Sequence, residues 1–231
     1  MTKFIERLFV WSGGALFVVA LAWCGYSLIT IWGQSRPFTL DAASRAITVN
    51  IALFLVFATH HSLSAREWAK AALARVIPER LLRTVYVWIA SLLFLLLIAA
   101  WQPIGGTLYE APGWLAFPHI LMQLTGLWLI VRAVGAIDPL ELAGIRAAGK
   151  GAPLQAGGAY ALVRHPIYFG TLLILFGASR VTGDRVLFAV LVAAYLVIAV
   201  HWEERSLELA FGDEYRRYRQ RVPWRIVPFV Y

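Results

Sequence analysis

The sequence predicts an all-α membrane protein, a polytopic bundle of about six transmembrane helices. Of its 231 residues, 60% are hydrophobic and only 15% are charged. A soluble domain of this length cannot bury so much apolar side chain, so the surplus is expected to face lipid. Several apolar runs approach or exceed the roughly 20 residues that a spanning helix needs. None of them shows the alternating pattern of a transmembrane strand.

Six apolar segments account for this prediction, and the fifth of them is short. At 1.5 Å per residue it reaches about 24 Å, less than the ~30 Å hydrocarbon core. The first segment is too long for the apolar part of a signal peptide, so we interpret it as a retained helix. The six segments are residues 9–32, 46–63, 85–101, 114–135, 166–181 and 185–202.

The chain is expected to form a single integral-membrane domain. Residues 1–135 would supply four N-terminal helices, and residues 136–231 a ligand-binding loop, a helical hairpin and a cytoplasmic tail. The long polar loop over 138–163 is rich in glycine, which lets backbone approach a ligand closely, although a plain connection has the same composition.

Basic residues are concentrated in alternate loops, and this pattern predicts the orientation. Residues 64–84, 136–165 and 203–231 contain five, three and six lysines or arginines, whereas residues 33–45 contain two and residues 102–113 contain none. The positive-inside rule then places both termini in the cytoplasm. The preference for arginine over lysine suggests a GC-rich bacterial genome, so we expect a bacterial inner membrane. The net charge of +8 is explained by these loops and their contact with the bilayer, so we expect no nucleic-acid partner.

A split polar signature occupies the last third of the chain. Its first half runs from Gly157 to Gly170 and contains Arg164-His165-Pro166, and its second half begins at Glu203-Glu204. The apolar hairpin between the halves should return to the side where it began. The two halves are therefore expected to meet at one membrane face and to form a cofactor site there.

The first half of the signature offers groups that suit an adenosine moiety. Pro166 fits the first turn of a helix, whose free N–H groups favour an anion. His165 and Tyr168 are three residues apart and share a helix face. The alternative is that arginine, histidine and tyrosine only anchor the helix at headgroup depth.

The carboxylate pair forms the second half. Carboxylates near hydrocarbon are costly and usually functional. Glu203 or Glu204 is able to hold ribose hydroxyls, an amino group or a sulfonium charge. The alternative is an ion pair with a loop arginine such as Arg164 or Arg205.

The remaining polar candidates are histidines at the end of the second predicted helix. His60 and His61 point about 100° apart on a helix, so only one of them is expected to face a site. Simple interfacial positions are the alternative. No metal-binding spacing is present, and we expect no metal. With Cys24 as its only cysteine, the chain forms no internal disulfide.

At these residues the chain resembles the integral-membrane methyltransferases related to isoprenylcysteine carboxyl methyltransferase and phospholipid methyltransferase. Their pattern is Gly-x-Tyr, Arg-His-Pro-x-Tyr-x-Gly, an apolar hairpin, Glu-Glu and Phe-Gly-x-x-Tyr-x-x-Tyr, and every element is present over residues 157–218. Residues 57–66, 83–87 and 138–146 are similar to the NnrU family and to the methanethiol S-methyltransferases.

The resemblance implies methyl transfer from S-adenosylmethionine to a small thiol or a lipid-like acceptor. His165, Glu204 and His61 are the candidate proton acceptors. In the isoprenylcysteine enzymes an arginine lies four residues before the matching glutamate, and Ala199 stands there in this chain, which disfavours a carboxylate substrate. The implied cofactor-binding residues are Leu154, Gln155, Tyr160, His165, Pro166, Ile167, Tyr168 and Glu203.

Two other functions are kept open. One is an NADPH-dependent membrane reductase, because sterol reductases share a His-Pro-x-Tyr motif; theirs usually carries asparagine where this chain has Ile167. The other is a non-catalytic accessory protein of the NnrU type, linked to nitrogen-oxide metabolism. The bilayer is the expected partner, and no protein partner is evident from the sequence.

Overall fold

The structure is a computed structural model that describes residues 3–64, 66–146 and 153–231. Helices dominate these ranges, which agrees with the predicted fold class. Two short helical segments adjoin longer helices. Ser27–Ile31 is a π-helix that continues the first helix, and Gly113–Leu115 is a 3₁₀ turn that precedes the helix beginning at Ala116. The elements are α1 Lys3–Tyr26, α2 Leu40–Ser64, α3 Glu67–Leu73, α4 Glu79–Ala99, β1 Thr107–Glu110, α5 Ala116–Ala136, α6 Pro139–Leu142, α7 Pro166–Phe176, β2 Arg180–Thr182, α8 Gly183–Phe211 and α9 Asp213–Arg221.

Five helical stretches in the described ranges are long and apolar enough to cross a membrane. They correspond to five of the six predicted segments, and the protein is an integral membrane protein. The prediction for residues 166–181 was wrong in length, because α7 has 11 residues and reaches only about 16 Å. Gly177 caps α7, and the chain then enters β2. The five stretches are Lys3–Ile31, Leu40–Ser64, Glu79–Ala99, Gly113–Ala136 and Gly183–Phe211.

The chain divides into two compact units. The first comprises Met1–Gly106 with Pro139–Lys150, and the second comprises Thr107–Asp138 with Gly151–Tyr231. The second unit therefore includes α5, whereas the predicted division grouped this segment with the three helices before it.

In the first unit, glycines allow close packing of α1. A Cβ atom on Gly13 would lie 2.7 Å from the indole nitrogen of Trp88 on α4, and one on Gly14 would lie 2.6 Å from Ile145. The buried hydroxyl of Thr84 donates to the carbonyl oxygen of Gly144 at 2.6 Å. These contacts attach both α1 and the turn after α6 to α4.

The second unit is organised by one close helix crossing and a small strand pair. α5 and α7 cross where Gly126 faces Gly170. β1 and β2 pair antiparallel, with Glu110 opposite Arg180, and these two side chains form an ion pair. This strand pair was not predicted. It joins segments about 70 residues apart in sequence and holds the turn between α7 and α8.

Candidate functional site

The loop that leads into α7 is a short 3₁₀ turn over Gly158–Ala161. Gly158 has φ +60°, a left-handed conformation that disfavours other residues. The turn sets Tyr160 against the tail: the Tyr218 hydroxyl donates to the Tyr160 carbonyl oxygen at 2.7 Å. Burial and then the charge of Glu203 raise the pKa of the Tyr160 phenol, so its ring lies within the electrostatic reach of that carboxylate.

The start of α7 is fixed by the residues that follow α9. Pro166 is the first residue of the helix, where its missing N–H leaves no bond unmade. The Arg164 and His165 N–H groups donate to the carbonyl oxygens of Trp224 and Arg225 at 3.0 and 2.9 Å. Backbone pairing between these two segments thus sets the position of the buried His165 ring.

Glu203 lies at the mouth of the hairpin, in contact with the first half of the signature. The Tyr168 hydroxyl donates to Glu203 Oε2 at 2.6 Å. His165 Nδ1 is 3.5 Å from the same oxygen, and the His165 and Tyr168 rings stack with centroids 5.3 Å apart. The Glu203 side chain is 47% exposed, so the carboxylate is held by two aromatic residues and is still open to a ligand.

Glu204 is in a different environment, although it is the next residue on the same helix. Its side chain is only 7% exposed. Arg164 Nε donates to Oε1 at 2.6 Å, and Arg225 Nε donates to Oε2 at 3.2 Å. Arg164 also donates to the Val222 and Pro223 carbonyl oxygens, both at 2.7 Å. A buried carboxylate with a cation on each oxygen joins α8 to the segment after α9.

His165 lies between the two carboxylates. Its Nε2 is 3.5 Å from Glu204 Oε1, and this buried nitrogen makes no hydrogen bond to any described residue. Burial acts to lower the pKa of the imidazole, but Glu203 and Glu204 outweigh it, so the pKa lies above its usual value near 6.5. The site therefore favours a positively charged ring.

The other predicted cofactor residues belong to the same unit. Leu154 and Tyr160 pack against a cluster formed by Tyr215, Tyr218 and Val222. Gln155 and Ile167 are half-buried, and Pro166 is fully buried. Burial raises the pKa of both tail tyrosines, which are the two tyrosines of the Phe-Gly-x-x-Tyr-x-x-Tyr pattern. Their role here is to form the core beneath the loop.

His61 lies in the first unit. Its Nδ1 is 2.8 Å from the Tyr86 hydroxyl, and its ring stacks on Phe57 with centroids 5.5 Å apart. His60 Nδ1 is 3.3 Å from the Ser64 hydroxyl. Both histidine rings lie against Tyr86, with ring centroids 6.0 Å away for His60 and 5.6 Å away for His61.

Arg225 was not predicted as part of the site. It lies four residues beyond the end of the arginine-rich α9 and precedes Ile226 and Val227. The apolar pair Ile226-Val227 after a polar helix was the sequence signal that this segment packs against the rest of the protein. Its partner, however, is 21 residues away, and no spacing rule identifies it.

Comparison with known proteins agrees with this arrangement. A model of the ergosterol biosynthesis ERG4/ERG24 family matches residues 138–231. Methanethiol S-methyltransferase 1 of Bradyrhizobium diazoefficiens is 32% identical over 96% of this chain and 84% of its own length. Methanethiol S-methyltransferase of Mycobacterium tuberculosis is 32% identical over 92% of this chain and 94% of its own. Nurim of Xenopus laevis is 32% identical over 69% of this chain and 64% of its own.

No solved structure showed a significant match. The methanethiol S-methyltransferases, however, match nearly the whole chain. The resemblance stated from the motifs is confirmed: the chain belongs to the family of integral-membrane methyltransferases that includes the methanethiol S-methyltransferases.

Proposed function

We propose that this protein methylates a small thiol with S-adenosylmethionine at the cytoplasmic face of a bacterial inner membrane. The main support for the proposal is that relatives named methanethiol S-methyltransferase align with nearly the whole length of this chain. The exposed Glu203 carboxylate, held by Tyr168 and His165, supports it. The arginine-rich loops and tail support the cytoplasmic side and cytoplasmic termini.

The residues around Glu203 fit this cofactor. Bound S-adenosylmethionine supplies a methyl group already activated on a sulfonium. The Glu203 carboxylate would accept hydrogen bonds from hydroxyl or amino groups and attract the sulfonium charge. Tyr160, Tyr168 and Ile167 would supply ring and apolar surface for the adenine, together with Leu154, Gln155 and Pro166. His165, whose Nδ1 is 3.5 Å from Glu203 Oε2, would hold Glu203 in place.

The three candidate proton acceptors are not equivalent. Arginines occupy both oxygens of Glu204, so we assign it to the structural ion pair. Burial acts to lower the pKa of His165, but Glu203 and Glu204 raise it above its usual value; because the ring lies between these carboxylates, we assign it to positioning Glu203. His61 stays a predicted proton acceptor; it lies in the first unit, where its Nδ1 is 2.8 Å from the Tyr86 hydroxyl. A thiol with the unperturbed pKa of cysteine, about 8.5, is mostly protonated at neutral pH and needs only partial deprotonation to react.

Binding of S-adenosylhomocysteine to detergent-purified protein, measured by calorimetry, tests the cofactor site. We expect micromolar binding that Glu203→Gln weakens at least tenfold. Glu214→Gln is the matched control, because it removes the same charge from an exposed position on α9. Absence of binding to folded wild-type protein, or equal loss in both variants, would contradict the proposed pocket.

Transfer of an isotope-labelled methyl group to methanethiol, to larger thiols and to a lipid extract tests the acceptor. Labelled dimethyl sulfide should dominate if the acceptor is a small thiol. Methylation of lipid alone, by cofactor-bound protein, would contradict the thiol proposal and leave the cofactor site standing.

An NADPH-dependent reductase is the second candidate, because the ergosterol biosynthesis family model covers the same C-terminal region as the polar cluster. The two candidates differ in the ligand that stabilises the protein. Protection from thermal unfolding by NADPH and not by S-adenosylhomocysteine would reverse the assignment.

A further inference from the structure

An arginine-lined cavity of about 630 Å³ lies beside α9 in the second unit. It includes none of the residues assigned to the cofactor. Arginines come from the segment before α7, from α9 and from the segment after α9, and a single carboxylate, Glu208, joins them. The lining includes Arg164, Arg216, Arg219, Arg225, Glu208 and Trp224.

The hydrogen bonds of these side chains leave donors in excess. Arg219 uses Nη1 on Glu208 Oε2 at 3.2 Å. Arg225 uses Nε on Glu204 and Nη1 on the Tyr231 hydroxyl. Each guanidinium carries five N–H groups, so Nη2 of Arg225 and both Nε and Nη2 of Arg219 have no partner among the described residues. Such a set of donors suits an oxyanion with several acceptor oxygens.

The one carboxylate of the lining is already engaged. Arg216 Nη1 lies 3.5 Å from Glu208 Oε1, and Arg219 holds Oε2. Both oxygens are thus paired with arginines of the same lining, and the arginines outnumber this side-chain carboxylate. The cavity therefore favours an anionic group over a zwitterionic one.

Exposed apolar side chains stand at the rim of this cavity. The Phe229 ring lies 5.4 Å from the ring of Trp224 and is 83% exposed, and Val230 is 77% exposed. Phe229 has φ +63° and is the one non-glycine residue with positive φ in the described ranges. The turn that imposes this conformation is closed by the Val230 and Tyr231 N–H groups, which both donate to the Val227 carbonyl oxygen. The backbone thus holds a large apolar ring outward beside a cationic cavity.

We propose that the cavity binds the phosphate of an anionic phospholipid, with Phe229 and Val230 in the acyl region. The positive charge of the arginines complements the negative charge of a phosphate group. The apolar rim favours a lipid over a soluble phosphate because it can contact acyl chains. The cavity is also much larger than inorganic phosphate and adjoins the end of α8, a membrane-spanning helix. The site would tie the tail, and through Arg164 and Arg225 the Glu204 ion pair, to the membrane surface.

The test uses the full chain in neutral detergent, titrated separately with phosphatidylglycerol, phosphatidylcholine of the same acyl chains, and inorganic phosphate. Thermal stability and native mass spectrometry report binding. We expect saturable stabilisation by phosphatidylglycerol alone. Arg219→Gln should weaken that binding about fivefold. Arg217→Gln, an equal loss of charge on exposed α9 surface outside the cavity, should change it less than twofold. Phe229→Asn, which keeps a residue tolerant of positive φ, should also weaken it.

Stabilisation by phosphatidylcholine equal to that by phosphatidylglycerol would overturn the proposal. A loss of binding in Arg217→Gln equal to that in Arg219→Gln would also overturn it, because it would indicate general attraction of the lipid to a basic surface. Inorganic phosphate acting as well as the lipid would replace a lipid site by a soluble-phosphate site. The measurement is of lipid binding, so its outcome is independent of methyl transfer.

Discussion

Substitution of Gly170 by alanine tests whether the crossing of α5 and α7 fixes the base of the site. A Cβ atom on Gly170 would lie 2.5 Å from the Gly126 carbonyl oxygen and 2.7 Å from Ile130 Cγ1. Ordinary van der Waals contact begins at 3.4 Å, so the helices must separate by roughly 0.9 Å or tilt. The obstacle is backbone, which no rotamer change relieves. The Gly126→Ala substitution meets the same obstacle from the other side, 2.5 Å from the Gly170 carbonyl oxygen.

Overpacking of a close contact costs about 1–3 kcal/mol, and the gain in helix propensity from glycine to alanine returns up to about 1 kcal/mol. We expect Gly170→Ala to lose about 1–2 kcal/mol, which lowers Tm by roughly 2–8 °C for a chain of this size. Gly135→Ala on α5 is the control, since nothing lies within 4 Å of its Cβ position. That variant should match or exceed wild-type stability.

The assay is thermal unfolding in detergent, followed by intrinsic fluorescence, for Gly170→Ala, Gly126→Ala and Gly135→Ala. S-adenosylhomocysteine affinity provides a second readout, because α7 carries Tyr168 near its start. Wild-type Tm in Gly170→Ala and Gly126→Ala would refute the close crossing. An equal decrease in Gly135→Ala would show that any alanine in these helices is harmful and would also refute the reasoning.

Three further predictions concern the polar cluster. Tyr168→Phe removes a 2.6 Å hydrogen bond to Glu203 and should weaken S-adenosylhomocysteine binding about three- to tenfold in calorimetry; unchanged affinity would remove Tyr168 from the site. Arg164→Met removes the shortest ion pair of the buried Glu204 and leaves Arg225 as its remaining arginine partner among the described residues. This change should cost about 3–5 kcal/mol of unfolding free energy, whereas Arg205→Met at an exposed neighbour should cost under about 1 kcal/mol. The pKa of His165 is raised on folding, so its charge stabilises the protein fully below about pH 6.5 and loses this effect as pH rises through the folded pKa. The Tm difference between wild type and His165→Gln should therefore be largest at acidic pH, and a difference that grows with pH would contradict the sign.

Much of the fold could be predicted because a membrane-spanning helix is recognisable in a sequence by its length and hydropathy. Five of six segments have the expected counterparts, with shifted ends. The exception is α7, whose apolar sequence continues beyond the helix. The helix stops at Phe176 because Gly177 caps it and β2 pairs with β1, a partner about 70 residues earlier. Hydropathy contains no information about such a pairing.

The different environments of Glu203, which is exposed, and Glu204, which is buried in an ion pair, could not be predicted either. Both are glutamates on one helix, and the sequence offers the same alternatives for each. The rotation of α8 against α7 turns Glu203 toward Tyr168 and half into solvent, and it turns Glu204 toward Arg164. The second cation on Glu204, Arg225, depends on the path of the chain after α9.

The sequence by itself determined the membrane-embedded helical class, the meeting of the two polar half-signatures and the methyltransferase family, because apolar length and motif chemistry are local properties of the chain. Only the tertiary structure decided the close Gly126–Gly170 crossing, the separate environments of the two adjacent glutamates and the arginine-lined cavity beside Trp224. These features arise from segments far apart in sequence, and their relative placement follows from packing that no local pattern encodes.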